Sequence, residues 1–472
     1  MNTKKILIGG EWREAKEDFE VKNPFTSESI AGVFSADASE NEEAVAIAES
    51  AAKEMRNLAR YEIAEGLRKI AAQIEKRKEE FARTIALEAA KPIMTARGEV
   101  ERGIATFSWA AGEAERFAGE VVPIDTIATG KGRTAFTERV PRGVIYGITP
   151  FNFPLNLVGH KVAPALASRN AIIVKPSSKT PLTALLLGEV FLESGLPKAA
   201  LQVVPTDVKY IDAIFKDERV AMITFTGSAA VGWRLKTRAE RKMITLELGG
   251  NAPVIIDESA DVDKSLDRNL MGAFTYAGQT CISVQRVYIH EKIFSEWTEK
   301  FVERAKKIKV GNPLDDATEL SAMIDEEAAK KAELILNEAR QGGAEILCGG
   351  GRAGAMLDAA VITGTNPEMR AVSEEIFAPV AVVEKFSNFA EAVEMSNQTK
   401  YGLQAGVFTQ DLANSQYAAQ NLEYGGVMIN DVPTFRVDNM PYGGVKQSGF
   451  GREGTRYAME EMSEIKLVVI NQ

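Results

Sequence analysis

The chain has 472 residues, of which 45% are hydrophobic and 26% charged, the makeup of a water-soluble protein of about two to four domains. A net charge of −10 with no basic stripe excludes a nucleic-acid binder, and no apolar run approaches a membrane span. Two cysteines and two histidines leave no disulfide framework, no histidine-based metal site and no Ser-His-Asp triad, and Ile6-Leu7-Ile8 is too short for a signal-peptide core, so a cytoplasmic, metal-free protein is expected.

Residues 1–35 read as short strands and turns, punctuated by Trp12 and Asn23-Pro24. Ser39 and Glu42 form a capping-box pattern that opens a helix. A longer helix is expected over 60–90, its apolar face carried by Ile63, Leu67, Ile70, Ile74, Phe81 and Ile85 and its end set by Pro92. Another helix follows over 94–118. Residues 119–142 read as a hairpin, Val121–Ile124 and Thr134–Val140 about the turn Gly130-Lys131-Gly132, as compatible with surface decoration as with pairing outside its own domain.

From 143 onwards strands and helices alternate: strands at 143–148, 171–174, 201–204 and 221–225, helices at 155–168, 181–193, 207–216 and from Ser228. That rhythm predicts a parallel sheet covered on both faces, with ligands beyond the carboxyl ends of its strands. The rim so defined is Thr149–Asn152, Lys175–Lys179, Pro205-Thr206 and Thr226-Gly227-Ser228. A second α/β segment covers about 250–450, with helices at 292–308 and 325–341 and strands at 380–384 and 404–408. Ile465–Ile470 reads as an edge strand able to reach a neighbouring molecule.

Four positions have the chemistry of a reaction centre. Cys281, in Gly278-Gln279-Thr280-Cys281-Ile282-Ser283, is a thiol at a break between a helical pattern and a β-branched run; taken alone, an inert buried cysteine explains it better. Glu247, between two leucines and before Gly249-Gly250, is a partly desolvated carboxylate suited to general-base work. Asn152, between Phe151 and Phe153, offers an amide to a developing oxyanion. Lys175 ends a strand on the same rim as the helix start at Gly227-Ser228, where backbone N–H groups attract phosphate. Each has an ordinary structural explanation when it stands alone.

Taken together, the motifs resemble those of the aldehyde dehydrogenase superfamily over essentially the whole chain. The residues that carry the resemblance are Thr149–Pro154, Lys175-Pro176, Phe225–Ser228, Leu246–Gly250, Gly278–Cys281, Glu375–Val380 and Pro441–Gly449, in that order. Cys281 follows Glu247 by 34 residues and Lys175 follows Asn152 by 23, as in that family. The resemblance implies an α/β fold: a Rossmann-type cofactor domain (1–118 and 143–247), an α/β catalytic domain (248–450) and a β oligomerisation element (119–142 and 451–472) of a homodimer or homotetramer. It implies NAD or NADP as cofactor. Ile148, Thr149, Pro150 and Phe151 would line the cofactor site with Lys175, Ser177, Ser178 and Lys179. Gly227 and Ser228 would lie near the pyrophosphate, Leu248 and Gly249 would also bind the cofactor, Glu375 would hold the nicotinamide ribose and Phe377 would position the ring. Cys281 would be the nucleophile, Asn152 the oxyanion donor, Glu247 the base that activates water, and Lys175 a holder of the adenosine ribose.

The sequence also departs from that pattern. Ala378 replaces a frequent glycine, and Pro205 stands where a glycine is common. Ser178 stands where many NAD-preferring members have Glu, which removes a repulsion and predicts that NADP is accepted. The chain is most similar to the branch containing lactaldehyde, sulfolactaldehyde, phosphonoacetaldehyde and non-phosphorylating glyceraldehyde-3-phosphate dehydrogenases, which implies a small hydroxylated or anionic aldehyde. Asn156, His160, Thr280 and Ile282 are expected to face it, with Arg102 and Arg436 as candidate anchors for an anionic tail; a structural ion pair explains each arginine equally well. Thr280 replaces an arginine of some phosphate-handling relatives. Succinic semialdehyde remains an alternative substrate. A CoA-acylating dehydrogenase is a less favoured reading because Glu247 is present, and a non-enzymatic binding protein is less favoured still.

Overall fold

The computed structural model describes residues 3–471; residues 1, 2 and 472, the extreme ends of the expected cofactor and oligomerisation segments, lie outside the described residues. Two large sheets organise the chain. The first has eight strands, with a parallel centre in the order Met243–Glu247, Val220–Thr226, Val144–Ile148, Ala171–Lys175, Leu201–Val203. Antiparallel Gly449–Phe450 closes one edge; Ile6–Ile8 and Glu11–Arg13 close the other. The chain runs outward from Val144–Ile148 in one direction, then returns to lay Val220–Thr226 on its other side. The strand order therefore reverses between these two neighbours, and a crevice opens beyond their carboxyl ends, at Thr149 and Gly227.

The second sheet has seven strands, six of them forming the parallel run Ala360–Thr363, Val380–Phe386, Val284–His290, Ala252–Ile256, Gln404–Phe408, Gly426–Ile429. Its strands are apolar on both faces because helices cover both, and Trp297 and Phe301 of helix Glu291–Ala305 stack at 4.7 Å in its core.

The expected strand–helix alternation appears, with these differences: the box that caps helix Ala38–Asn57 is Asp37 with Glu40, not Ser39 with Glu42. The helix expected over 60–90 is two helices, Arg60–Lys76 and Lys78–Ala89, broken at Arg77. The second stops at Ala90, which is left-handed (φ 50°), two residues before Pro92; this turns Lys91 into the core. The C-terminal strand is an edge strand, as expected, with one of its two edges paired within the chain. Ser463–Asn471 pairs antiparallel along its whole length with Arg133–Pro141 of the same chain, and Val121–Val122 adds a short third strand. The two strands of the expected hairpin are thus unequal, with a longer connection containing the short 3-10 turn Ala128–Gly130. By hydrogen bonding, Gly449–Phe450 belongs to the first sheet, and helix Thr455–Glu461 packs on helix Asn156–Ala167.

Candidate active site

The crevice at the strand-order reversal is a cavity of about 450 Å³. Ile148, Thr149, Pro150, Phe151 and Asn152 form one wall; Gly227, Ser228, Leu248 and Gly249 form another; Glu375 and Phe377 close a third. Ser177, Glu247 and Cys281 also line it. The sequence thus separates by more than a hundred residues groups that the fold brings to one cavity. Ser228 caps helix Ala229–Arg238 with extended backbone, which leaves that helix's first N–H groups toward the cavity.

Cys281 lies on a turn entered through three consecutive left-handed residues, Tyr276 (φ 50°), Ala277 (φ 52°) and Gly278 (φ 64°). A side chain at Gly278 would meet the Ala378 carbonyl oxygen at 2.1 Å, so the third position requires glycine. A side chain at Gly250 would meet the Cys281 carbonyl oxygen at 2.3 Å, so glycine there lets the Glu247 strand exit pass directly against the thiol turn. The Tyr442 hydroxyl lies 2.9 Å from Cys281 Sγ. Burial pushes the thiol up to about 12, with Tyr442 and Arg436 pulling it down and Glu375 and Glu247 adding to the rise. The resting thiol is therefore protonated.

Glu247 is buried, and among the described residues neither carboxylate oxygen has a partner. Burial raises its pKa well above the ordinary carboxylate range, and the neighbouring Glu453 adds to the shift. In its ionised form, with neither oxygen paired, it can take a proton from water brought beside it. Asn152 Nδ2 donates to the Gln279 carbonyl at 2.9 Å, which fixes the amide plane and leaves its second N–H free. Glu375 accepts the Gly250 N–H at 2.9 Å, and burial pushes it up to about 7. Phe377 (φ 55°) packs edge-on against Phe151 at 5.9 Å.

A second cavity of about 460 Å³ contains Lys175, Ser178, Lys179 and Pro205, facing Glu17, Asp18 and Glu20. Lys175 is buried, and burial lowers its pKa. Lys179 Nζ lies 3.0 Å from Asp325 Oδ2, so its charge already has a partner. Among the described residues no cluster of three or more His, Cys, Asp or Glu could hold a metal ion, and no helix is long and apolar enough to cross a membrane.

The expected substrate residues converge on a buried polar network. His160 Nε2 lies 2.7 Å from Asp438 Oδ1, and its Nδ1 lies 2.8 Å from Arg436 Nη2. Asn156 Nδ2 donates to Asp438 Oδ1 at 3.2 Å and its Oδ1 accepts from the Thr106 hydroxyl at 3.2 Å, so Asn156 and His160 are satisfied within the protein. Arg102 Nη2 donates to Asp438 at 2.8 Å. Burial works to raise the Asp438 pKa, but His160 and Arg102 hold it well below the usual range. Arg436 is buried, donates to Glu453 at 3.0 Å, and stacks on the Tyr442 ring at 3.5 Å. Its Nε has no partner among the described residues. Arg102 is thus an ion-pair member, whereas Arg436 pairs and also keeps a free donor one side chain away from Cys281. Ile282 packs with Cys281, Tyr442 and Leu403, and Thr280 stands partly exposed beside the thiol.

Sequence reasoning passed over Tyr442, Asp438 and Glu453. Tyr442 lies inside the motif Pro441–Gly449, where a phenol in a glycine-rich loop was the available signal; nothing local marks the two acids.

A model of the aldehyde dehydrogenase family matches residues 12–468. The chain belongs to that family. It is 41% identical over 467 residues to 3-sulfolactaldehyde dehydrogenase of Priestia aryabhattai, covering 99% of this chain and 98% of the relative. It is 41% identical over 474 residues to lactaldehyde dehydrogenase of Methanococcus aeolicus, covering 99% and 100%. The crystal structure of glyceraldehyde-3-phosphate dehydrogenase GapN from Methanocaldococcus jannaschii, complexed with NADP, superposes with a TM-score of 0.93 at 40% identity, covering 97% of this chain and 100% of the other. The chain is an aldehyde-oxidising enzyme with the aldehyde dehydrogenase fold, in the branch its motifs indicated.

Proposed function

We propose that this enzyme oxidises a small aldehyde with a hydroxylated or anionic tail, of the lactaldehyde or sulfolactaldehyde class, to its carboxylate. The observation that carries the substrate reading is Arg436: a buried guanidinium with an unpartnered Nε, stacked on the tyrosine that touches Cys281. A fixed cation there favours an oxygen-rich tail over a long alkyl one. The names of the relatives point to the same class.

The two cavities suit NAD or NADP. The cavity beside Cys281 offers a helix N-terminus, a buried Thr149 hydroxyl without a partner among the described residues, and the Glu375 carboxylate; the second cavity offers Lys175. When bound, the dinucleotide supplies the acceptor for the hydride leaving the former aldehyde carbon. Cys281 Sγ gives its proton up to solvent water and bonds to that carbon, and the free Asn152 N–H with the Cys281 backbone N–H holds the resulting oxyanion. Loss of hydride leaves a thioester on Cys281. Glu247 takes a proton from water as the water oxygen attacks the thioester carbonyl; the C–S bond breaks and the carboxylate leaves. Tyr442 donates toward Cys281 Sγ and favours its thiolate as attacker and leaving group. An unpaired Glu247 on the cavity that holds Cys281 favours hydrolysis over transfer to CoA.

The three-stranded sheet supports a homo-oligomer. Its outer strand exposes Ile465 (61%) and Leu467 (56%), and Val121 is 87% exposed; apolar side chains on an open edge suit burial against a second copy. Both cysteines are free thiols, in keeping with a cytoplasmic homodimer or homotetramer. Sedimentation of wild type and of Leu467→Asp tests this: the variant should dissociate.

The substrate test is a panel of lactaldehyde, sulfolactaldehyde, glyceraldehyde-3-phosphate, succinic semialdehyde and hexanal with each cofactor, products identified with and without CoA. The highest kcat/KM should fall on a short hydroxylated or anionic aldehyde. A preference for hexanal, or an acyl-CoA product, would overturn the reading.

A further inference from the structure

Lys91 is a buried charge that the chemistry above does not use. It is 0% exposed and pairs with the equally buried Glu99. Its Nζ also donates to the Asn152 backbone carbonyl at 2.7 Å. The same ammonium lies 3.6 Å from the centroid of the Phe153 ring and 4.4 Å from that of Tyr276. Glu99 accepts the backbone N–H groups of Leu155 at 2.9 Å and Asn156 at 3.2 Å, and so caps the helix Asn156–Ala167, which has no side-chain cap of its own. One ion pair therefore grips the Asn152 loop at both ends.

The pair also reaches the other half of the reaction centre. Tyr276 is the first of the three left-handed residues that lead into Cys281, and its ring packs edge-on against Phe153 at 6.3 Å. Asn152 Nδ2, held through its own backbone by Lys91, donates to Gln279 two residues before the thiol. Lys91 thus touches the oxyanion loop by a hydrogen bond and the nucleophile loop by a cation–π contact. Desolvating two charges makes a buried ion pair a poor source of stability compared with apolar side chains of similar size. What apolar side chains cannot do is hold a carbonyl and two N–H groups at fixed positions.

We propose that Lys91, together with Glu99, is a positioning residue that sets the Asn152 amide in register with Cys281. The proposal rests on Asn152 as the oxyanion donor. It predicts that losing the pair impairs the acylation step through Asn152 and leaves the cofactor site intact, since neither residue lines either cavity.

The experiment compares three variants: Asn152→Ala, Lys91→Met with Glu99→Gln, and all three changes combined. Each is read by single-turnover formation of reduced nicotinamide, by the cofactor dissociation constant and by thermal unfolding. Losing an oxyanion donor costs about 10²–10³-fold in rate. The Lys91/Glu99 variant should be slowed at least about tenfold, a part of that loss, with cofactor affinity within about twofold of wild type. The combined variant should be no more than about twofold slower than Asn152→Ala, because a residue acting through Asn152 has nothing left to position. Losses that multiply, or a Lys91/Glu99 variant at the wild-type rate, would overturn the proposal. A wild-type rate for Asn152→Ala would instead overturn the oxyanion assignment, a distinct outcome. Should the Lys91→Met pair not fold, Lys91→Gln with Glu99→Gln retains polar groups at both positions and is read in the same way. Failure of both pairs to fold beside a stable Asn152→Ala would assign Lys91 to the fold alone and overturn the proposal.

Discussion

Replacing Tyr442 by Phe isolates one interaction at the nucleophile. The change deletes the hydroxyl 2.9 Å from Cys281 Sγ and keeps the ring on which Arg436 stacks. A hydrogen bond to a charged partner contributes about 1.5–3 kcal/mol. At 1.36 kcal/mol per pKa unit, its loss should raise the thiol, already at about 12, by roughly one to two units. The thiolate fraction at fixed pH then falls about 10–100-fold. A more basic thiolate is also the better nucleophile, with a Brønsted slope of about 0.4–0.5 that returns roughly half of the logarithm. The net expectation is a threefold to tenfold slower reaction with a disulfide reagent, roughly the square root of the change in thiolate fraction. The assay is the rate of release of 2-thiopyridone from 2,2′-dithiodipyridine at pH 8, in a Cys348→Ser background so that one thiol is read. Cofactor affinity and thermal stability serve as controls. An unchanged or faster rate would refute the claim that Tyr442 supports the thiolate.

Arg436→Leu should raise KM for anionic aldehydes about 10–100-fold, the equivalent of one charge-assisted hydrogen bond, with a much smaller effect on propanal. Because the change also strips Glu453 and His160 of a partner, the ratio of the two effects decides, and equal effects would count against a substrate contact. Glu375 titrates near 7, and its ionised form is the better acceptor for ribose hydroxyls. The dissociation constant for NAD should therefore fall as pH rises from 6 to 8, and Glu375→Gln should flatten that dependence; a slope that survives the substitution would remove Glu375 from the ribose site. Ser178→Glu should lower kcat/KM for NADP relative to NAD by placing a carboxylate in the cavity that holds Lys175. An unchanged ratio would show that the 2′-phosphate does not approach Ser178.

What could be read from the sequence follows a physical division. Glu247, Cys281, Glu375 and the Gly227-Ser228 helix start stand in short motifs because each needs a local backbone shape: a strand exit followed by glycines, a left-handed turn, a βα junction. The alternation of β-branched runs with helical patterns likewise exposes the parallel sheet and its rim. Contacts made across the chain leave no local periodicity. Tyr442 meets Cys281 across 161 residues, and Arg102 meets Asp438 across 336. The Lys91–Glu99 pair is only eight residues apart, yet it was hidden because its role depends on Ala90 turning left-handed and sending Lys91 inward, which an apolar helical pattern does not announce. The in-chain pairing of Ser463–Asn471 with Arg133–Pro141 was equally silent, since a β-rich run specifies a strand and not its partner.

The central claim is that Cys281 carries the oxidised substrate as a thioester that Glu247 helps to hydrolyse. Glu247→Gln enzyme mixed with lactaldehyde and excess NAD, quenched in acid within the first turnover and digested, tests it directly by mass spectrometry. The account predicts one equivalent of reduced nicotinamide per site and the mass of one acyl group on the peptide containing Cys281. Reduced nicotinamide formed with an unmodified Cys281, or an acyl group on the peptide containing Cys348, would contradict it.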